Sequence, residues 1–168
     1  MAHQEWRIPS KETSVKINWT RVILAGLLAG LIVNISEFLV NGLLLSDEWA
    51  NAMKALNKSF EMGIGPTVAF WLWGFLIGLY ALWLYAIIRP QFGPGPKTAA
   101  IAGIAVWVPG SLLAMIAPAA LHLFRYRLIA IGVALGLVEI VVGTVVGAWL
   151  YKEEEASTAT SPAAAGKA

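Results

Sequence analysis

The sequence predicts an all-α membrane protein, a bundle of four transmembrane helices with a short amphipathic interfacial helix between helices 1 and 2. Three observations carry this. The chain is 58% hydrophobic and only 13% charged, with a mean hydropathy of +0.70, so lipid rather than water is its main solvent. Four apolar segments, about 21–45, 66–88, 98–121 and 128–151, each match the ~20 residues that cross a ~30 Å hydrocarbon core. Charged residues gather between these segments, near 47–61, 89–97 and 122–127, and at the two ends.

Residues 1–20 are polar and carry Arg7, Lys11 and Lys16 before Trp19 and Arg21, an aromatic and basic pair suited to a headgroup boundary. They read as a cytoplasmic tail, and the first span, preceded by so much polar chain, reads as a retained anchor. After that span Ser46 is placed to cap a helix whose first turn holds Asp47 and Glu48. Trp49, Met53, Leu56 and Phe60 then recur at helical spacing until Gly63 and Gly65-Pro66 stop the pattern, which predicts a surface helix over about 46–62. Such a helix can lie on the outer membrane surface or lid the bundle, and the two are compatible.

The Arg89 to Lys97 connection is rich in Pro and Gly, which makes spans two and three antiparallel neighbours. Pro109-Gly110 and Pro118 loosen or bend the third span. Residues 152–168 begin with three glutamates after Lys152 and then turn to Ala, Ser, Thr and Pro without apolar periodicity, the composition of a disordered tail.

Orientation follows from the basic residues beside the spans. Arg7, Lys11, Lys16, Arg21, Arg89, Lys97, Lys152 and Lys167 lie on one side, against Lys54, Lys58, Arg125 and Arg127 on the other. The richer side is the cytoplasm, so both termini face inward.

Several function classes are excluded or disfavoured. Without cysteine there is no disulfide, thiolate metal site or cysteine nucleophile, and two histidines, His3 and His122, leave little for a metal or haem. The sequence therefore names no cofactor. Its twelve Lys and Arg form no dense run, so the net charge of +2 points to lipid headgroups and not to nucleic acid. His122, Arg125 and Arg127 are the candidate headgroup contacts at the outer end of the third span.

Small residues mark the helix faces. Gly26 and Gly30 lead into Asn34, Glu37 and Asn41 along the first span, and Gly132, Gly136, Glu139, Gly143 and Gly147 form a similar series in the fourth. Gly74 with Gly78 repeats the spacing in the second span. Glycines so spaced let helices approach closely, and polar groups among them must face protein. Glu37 and Glu139 are the sharper signal. They lie eight and eleven residues from Leu45 and Leu128, about 12 and 16 Å deep at about 1.5 Å per residue. If spans one and four touch through their glycine series, Glu139 meets Asn34 and Glu37, and this Asn34, Glu37, Asn41 and Glu139 cluster can share or relay a proton. The alternative is a neutral carboxylic acid bonded to Asn34 that only sets helix register.

The order of features resembles a group of small bacterial inner-membrane proteins with four helices, classified as a domain of unknown function. The resemblance lies in Ile17-Asn18-Trp19 before a Gly and Ala rich helix, in Trp49-Ala-Asn-Ala-Met-Lys-Ala-Leu56, and in the Gly103 to Pro109 stretch. It implies fold and location, a bacterial inner membrane, and no functional residue.

Taken together, the residues point first to a non-enzymatic structural or accessory subunit that packs through its glycine faces against lipids, a second copy or a larger membrane complex. The second reading is a small transporter or proton-coupled channel that uses the Glu and Asn cluster.

Overall fold

The computed structural model describes residues 17–59 and 63–151. The sequence readings of the N-terminal tail, of Phe60 and of the C-terminal tail lie outside these residues. All regular structure described is helical, in six helices: α1 (Trp19–Glu37), α2 (Ser46–Ala55), α3 (Ile64–Phe92), α4 (Pro96–Trp107), α5 (Ile116–Ala120) and α6 (Tyr126–Leu150). Two π-helical segments extend them, Phe38–Leu44 after α1 and Val108–Leu113 after α4. Four stretches are long and apolar enough to cross a membrane: Trp19–Leu44, Ile64–Phe92, Pro96–Ala120 and Tyr126–Leu150. The protein is a multi-pass membrane protein built as a four-helix bundle.

Local chemistry explains where the spans begin and end. Asn18 caps α1, its side chain accepting the Arg21 N–H at 3.0 Å, a use of Asn that offsets one orphan amide. α3 runs through Pro90 to Phe92, beyond the expected end at residue 88. The proline removes one amide donor, and α3 ends two residues later. Gly93 and Gly95 then take φ of 81° and 131°, which only glycine adopts readily, and Pro96 starts α4. Thr98 Oγ1 closes this turn by donating to the Gly93 carbonyl at 2.7 Å.

The third span is interrupted where the prolines predict. Pro109 has no N–H to give, and the chain widens there into the π-helical segment before α5, whose first turn holds Pro118.

Ser46 does not cap α2. The chain enters α2 from the π-helical segment with no extended cap residue, so Ser46 is the first helical residue and its hydroxyl donates to the Leu43 carbonyl at 3.2 Å. α2 also stops at Ala55, well short of Gly63. Asn57 ends it by adopting φ of 55°, the left-handed conformation that Asn tolerates after a helix C-terminus.

Packing centres on α1, which lies most extensively on α3 and then on α6; α4 also packs on α6. The core is built of small side chains: Ala25, Ala29, Ala81, Ala99 and Ala102 are fully or almost fully buried, with Leu82, Val106 and Thr144 as the largest enclosed residues. Helices that pack on alanine and glycine approach closely, and dispersion over that contact replaces the hydrophobic drive that lipid removes.

Candidate functional site: a carboxyl pair at the seam of α1 and α6

α1 presents two different faces to two neighbours. A Cβ on Gly26 would lie 2.7 Å from Leu79 Cα, one on Gly30 2.7 Å from Phe75 Cα, and one on Gly78 would meet the Gly30 and Gly26 backbone. The glycine face of α1 is therefore spent on α3. The α1 face on α6 is instead Ala25, Ala29 and Val33: a Cβ on Gly143 would lie 3.0 Å from the Ala29 carbonyl oxygen, and one on Gly147 2.7 Å from that of Ala25. So spans one and four do touch, but the glycines of α6 meet alanines of α1, not its glycines.

This overturns part of the expected cluster. Asn34 continues the glycine face, and its Nδ2 donates to the Trp71 carbonyl of α3 at 3.1 Å. It is held away from the acids. Glu37 continues the alanine face, four residues beyond Val33, and so reaches α6, where the Glu37 and Glu139 carboxyls come within hydrogen-bonding range. Asn41, one turn further along the π-helical segment, donates from Nδ2 to Glu37 Oε2. The structure thus brings together Glu37, Asn41 and Glu139 and leaves Asn34 out.

Two glycines of α6 also leave the expected face. Gly136 faces the π-helical segment of the third span, where a Cβ would lie 2.9 Å from Ser111 Oγ, and Gly132 has nothing within 4 Å. Gly132 is not a packing residue within the chain.

Trp49 completes the site and is absent from the sequence-based set. Its Nε1 donates to Asn41 Oδ1 at 3.0 Å, and since an indole can only donate, this bond fixes which way the Asn41 amide points. The same ring packs edge-on against Phe124, with centroids 5.3 Å apart. Its i, i+4 place on the apolar face of α2 was visible in the sequence, but nothing there linked it to a residue eight positions back.

The two acids differ in setting. Glu139 is buried, 8% exposed, whereas Glu37 is exposed at the edge of the seam. A cleft of about 220 Å³ opens beside them, lined by Ser36, Leu39, Val40, Leu135, Val138, Glu139 and Val142. Two carboxyls can hydrogen-bond each other only when a proton lies on one of them. The arrangement can therefore hold one proton between two helices, with an apolar wall on one side and an amide on the other.

The candidate headgroup residues are placed at the α5–α6 turn but are partly engaged. Arg127 pairs with Glu48 of α2 at 3.1 Å. The Tyr126 hydroxyl and His122 Nδ1 are hydrogen-bonded at 3.0 Å, with His122 in the left-handed region at φ 51°. Arg125 is exposed. At the opposite end, Arg89 lies over the Tyr151 ring at 5.4 Å, Tyr151 packs edge-on against Tyr85, and the Tyr85 hydroxyl accepts the Gly95 N–H at 3.3 Å. Among the described residues no group of three His, Asp or Glu side chains could hold a metal ion.

The fold and this site define a multi-pass helical membrane protein with a carboxyl pair between two of its spans. Comparison with protein-family models, with curated proteins and with solved structures finds no match to this chain.

Proposed function

We propose that this chain is a non-enzymatic protein of a bacterial inner membrane, with both termini in the cytoplasm, that binds and passes a proton at Glu37 and Glu139 as a small proton-coupled transporter or channel. The observation that carries this reading is the meeting of the two carboxyls across the α1–α6 seam. Ionisable groups at membrane depth are costly, about 2.5–3.5 kcal/mol each at a helix centre by insertion scales, and here two from different spans converge where one would suffice to set register. The inward placement of the termini is supported by the excess of Lys and Arg on that side. The bacterial location is supported by the resemblance in Ile17 to Trp19, Trp49 to Leu56 and Gly103 to Pro109.

The test is proton flux into proteoliposomes across an imposed pH gradient. Glu37→Gln and Glu139→Gln should each abolish flux while helix content stays unchanged. Flux equal to wild type in both variants would remove the proposal.

A second reading, a structural or accessory subunit, keeps one observation in its favour. The glycine faces of α1 and α3 are occupied within the chain, but Gly132 on α6 leaves a close-approach position uncovered. Mass spectrometry of the protein purified gently from native membranes decides it: a stoichiometric heterologous complex supports this reading, and a homo-oligomer or monomer removes it.

A further inference from the structure

α2 sits at the end of the seam and is tied to the acids through Trp49 and Asn41. Trp49 donates to Asn41 Oδ1, and Asn41 donates in turn to Glu37. On its other flank Trp49 packs against Phe124, and one residue earlier Glu48 pairs with Arg127. The hydrogen bonds from Trp49 to Asn41 and from Asn41 to Glu37 thus run from α2 to the acid that lies beside Glu139.

We propose that α2 is a proton-controlled lid, closed over the α1–α6 seam while Glu37 and Glu139 share a proton and released when that proton leaves. This rests on the reading of the pair as the proton site.

The direction follows from electrostatics. With one proton the carboxyls attract through a hydrogen bond, Glu37 stays against α6, and Asn41 stays in place for Trp49. Without it, two negative charges stand a hydrogen-bond length apart in a poorly solvated seam. Their repulsion acts against the neutral indole bond, the Trp49–Phe124 ring contact and the exposed ion pair that hold α2, and the lid opens where it outweighs them. Glu139 is enclosed, so Glu37, the exposed partner, is the one that moves, and Asn41 moves with it. The π-helical segment that starts at Phe38 is where the regular helix hydrogen bonding already yields.

The other charged groups at this end are few. Among the described residues α2 contributes Asp47, Glu48 and Lys54, with Glu48 held by Arg127, and Lys58 follows it. The α5–α6 turn contributes His122 and Arg125, and the first turn of α6 contributes Tyr126 and Arg127. The titratable side chains of α3 and α4, namely Tyr80, Tyr85, Arg89 and Lys97, lie toward the opposite end. His122 is the one imidazole at this end among the described residues, so it is the group a control must remove.

The chain has no cysteine, so spin labels can be placed at Asn51→Cys on the exposed side of α2 and at Ala130→Cys on α6, and their separation measured in nanodiscs from acid to alkaline pH. The separation should be short and narrow at acid pH and should lengthen by roughly one helix diameter, about 10 Å, as the pH rises. Glu139→Gln should hold the short distance throughout, because a Gln amide donates to Glu37 without needing a proton. Asn41→Leu and, outside the span, Trp49→Phe should both remove the pH response, while His122→Gln should keep it. A distance that never changes in the parent, or a change that survives in Glu139→Gln or Trp49→Phe, overturns the lid. Proton flux in the same preparations separates the two levels: a fixed distance with flux that depends on Glu37 and Glu139 defeats only the lid, whereas flux indifferent to both acids defeats the proton site itself.

Discussion

Asn34 donates to the backbone carbonyl of Trp71 at 3.1 Å, and that bond commits Asn34 of α1 to α3 while Glu37, three positions on, turns to α6. A carbonyl inside a helix already accepts from the next turn, so the Asn34 amide is a second donor shared by Trp71. The bond ties α1 to α3 without involving either acid.

Replacing Asn34 with Leu should therefore lower stability and leave the proton chemistry alone. Interhelical polar contacts in membranes contribute roughly 0.6 kcal/mol on average and up to about 1.7. Unfolding in mixed detergent followed by circular dichroism should show a loss in that range. Proton flux, if carried by Glu37 and Glu139, should remain at the parent level, and a loss of flux would return Asn34 to the site.

The glycines of the bundle should separate sharply by position. Gly78→Ala drives a methyl into the Gly30 and Gly26 backbone, which cannot yield without separating α1 from α3, and overpacking of this kind costs about 1–3 kcal/mol or more. Gly74→Ala meets the Asn34 side-chain amide, which can swing aside, so its cost should be smaller and largely that of the Asn34 bond. Gly132→Ala meets nothing within the chain and should be near neutral, within about 0.5 kcal/mol, and slightly favourable to the helix. Thermal unfolding of the three variants in one detergent checks the order.

Of the two polar contacts that hold α2, the indole bond should matter more. Trp49→Phe keeps an aromatic ring against Phe124 but loses the bond to Asn41, about 1 kcal/mol for a neutral hydrogen bond. Faster amide exchange along Ser46–Ala55 would report it. The Glu48–Arg127 pair has its arginine 76% exposed, and a double-mutant cycle on exchange protection should give a coupling of at most about 1 kcal/mol that weakens with salt.

The errors of the sequence reading have one geometric origin. The four apolar spans, the Pro and Gly turn before α4 and the break near Pro109 were legible because each depends on composition or on a single residue's backbone chemistry. The polar stripe was not, since it joined Gly30 and Asn34 to Glu37 by a step of three. A step of four advances the direction around a helix by about 40°, whereas a step of three turns it back by about 60°, enough to move from the α3 side to the α6 side. The same step from Gly136 to Glu139 carries α6 from its contact with Ser111 to its contact with α1. Periodicity shows that such residues are near one another on a helix, but only the neighbours decide where one face ends. Trp49 escaped for a different reason, because its partner Asn41 lies across the change from π-helical segment to α2, where helical spacing no longer predicts proximity.

Orientation can be checked with single introduced cysteines, because the chain contains no cysteine of its own. Lys58 follows α2 and Lys97 opens α4, both exposed and at opposite ends of the bundle. In intact cells a membrane-impermeant maleimide should label Lys58→Cys at once and Lys97→Cys only after permeabilisation. This result would place α2 and the nearer end of the carboxyl pair on the outer face, so that the proton enters from outside and the lid responds to external pH. The reverse pattern would turn the same lid toward the cytoplasm and contradict the inward placement of the termini, because Arg125 and Arg127, packed into one short turn, would then have outweighed the more numerous but more widely spread basic residues at the other end.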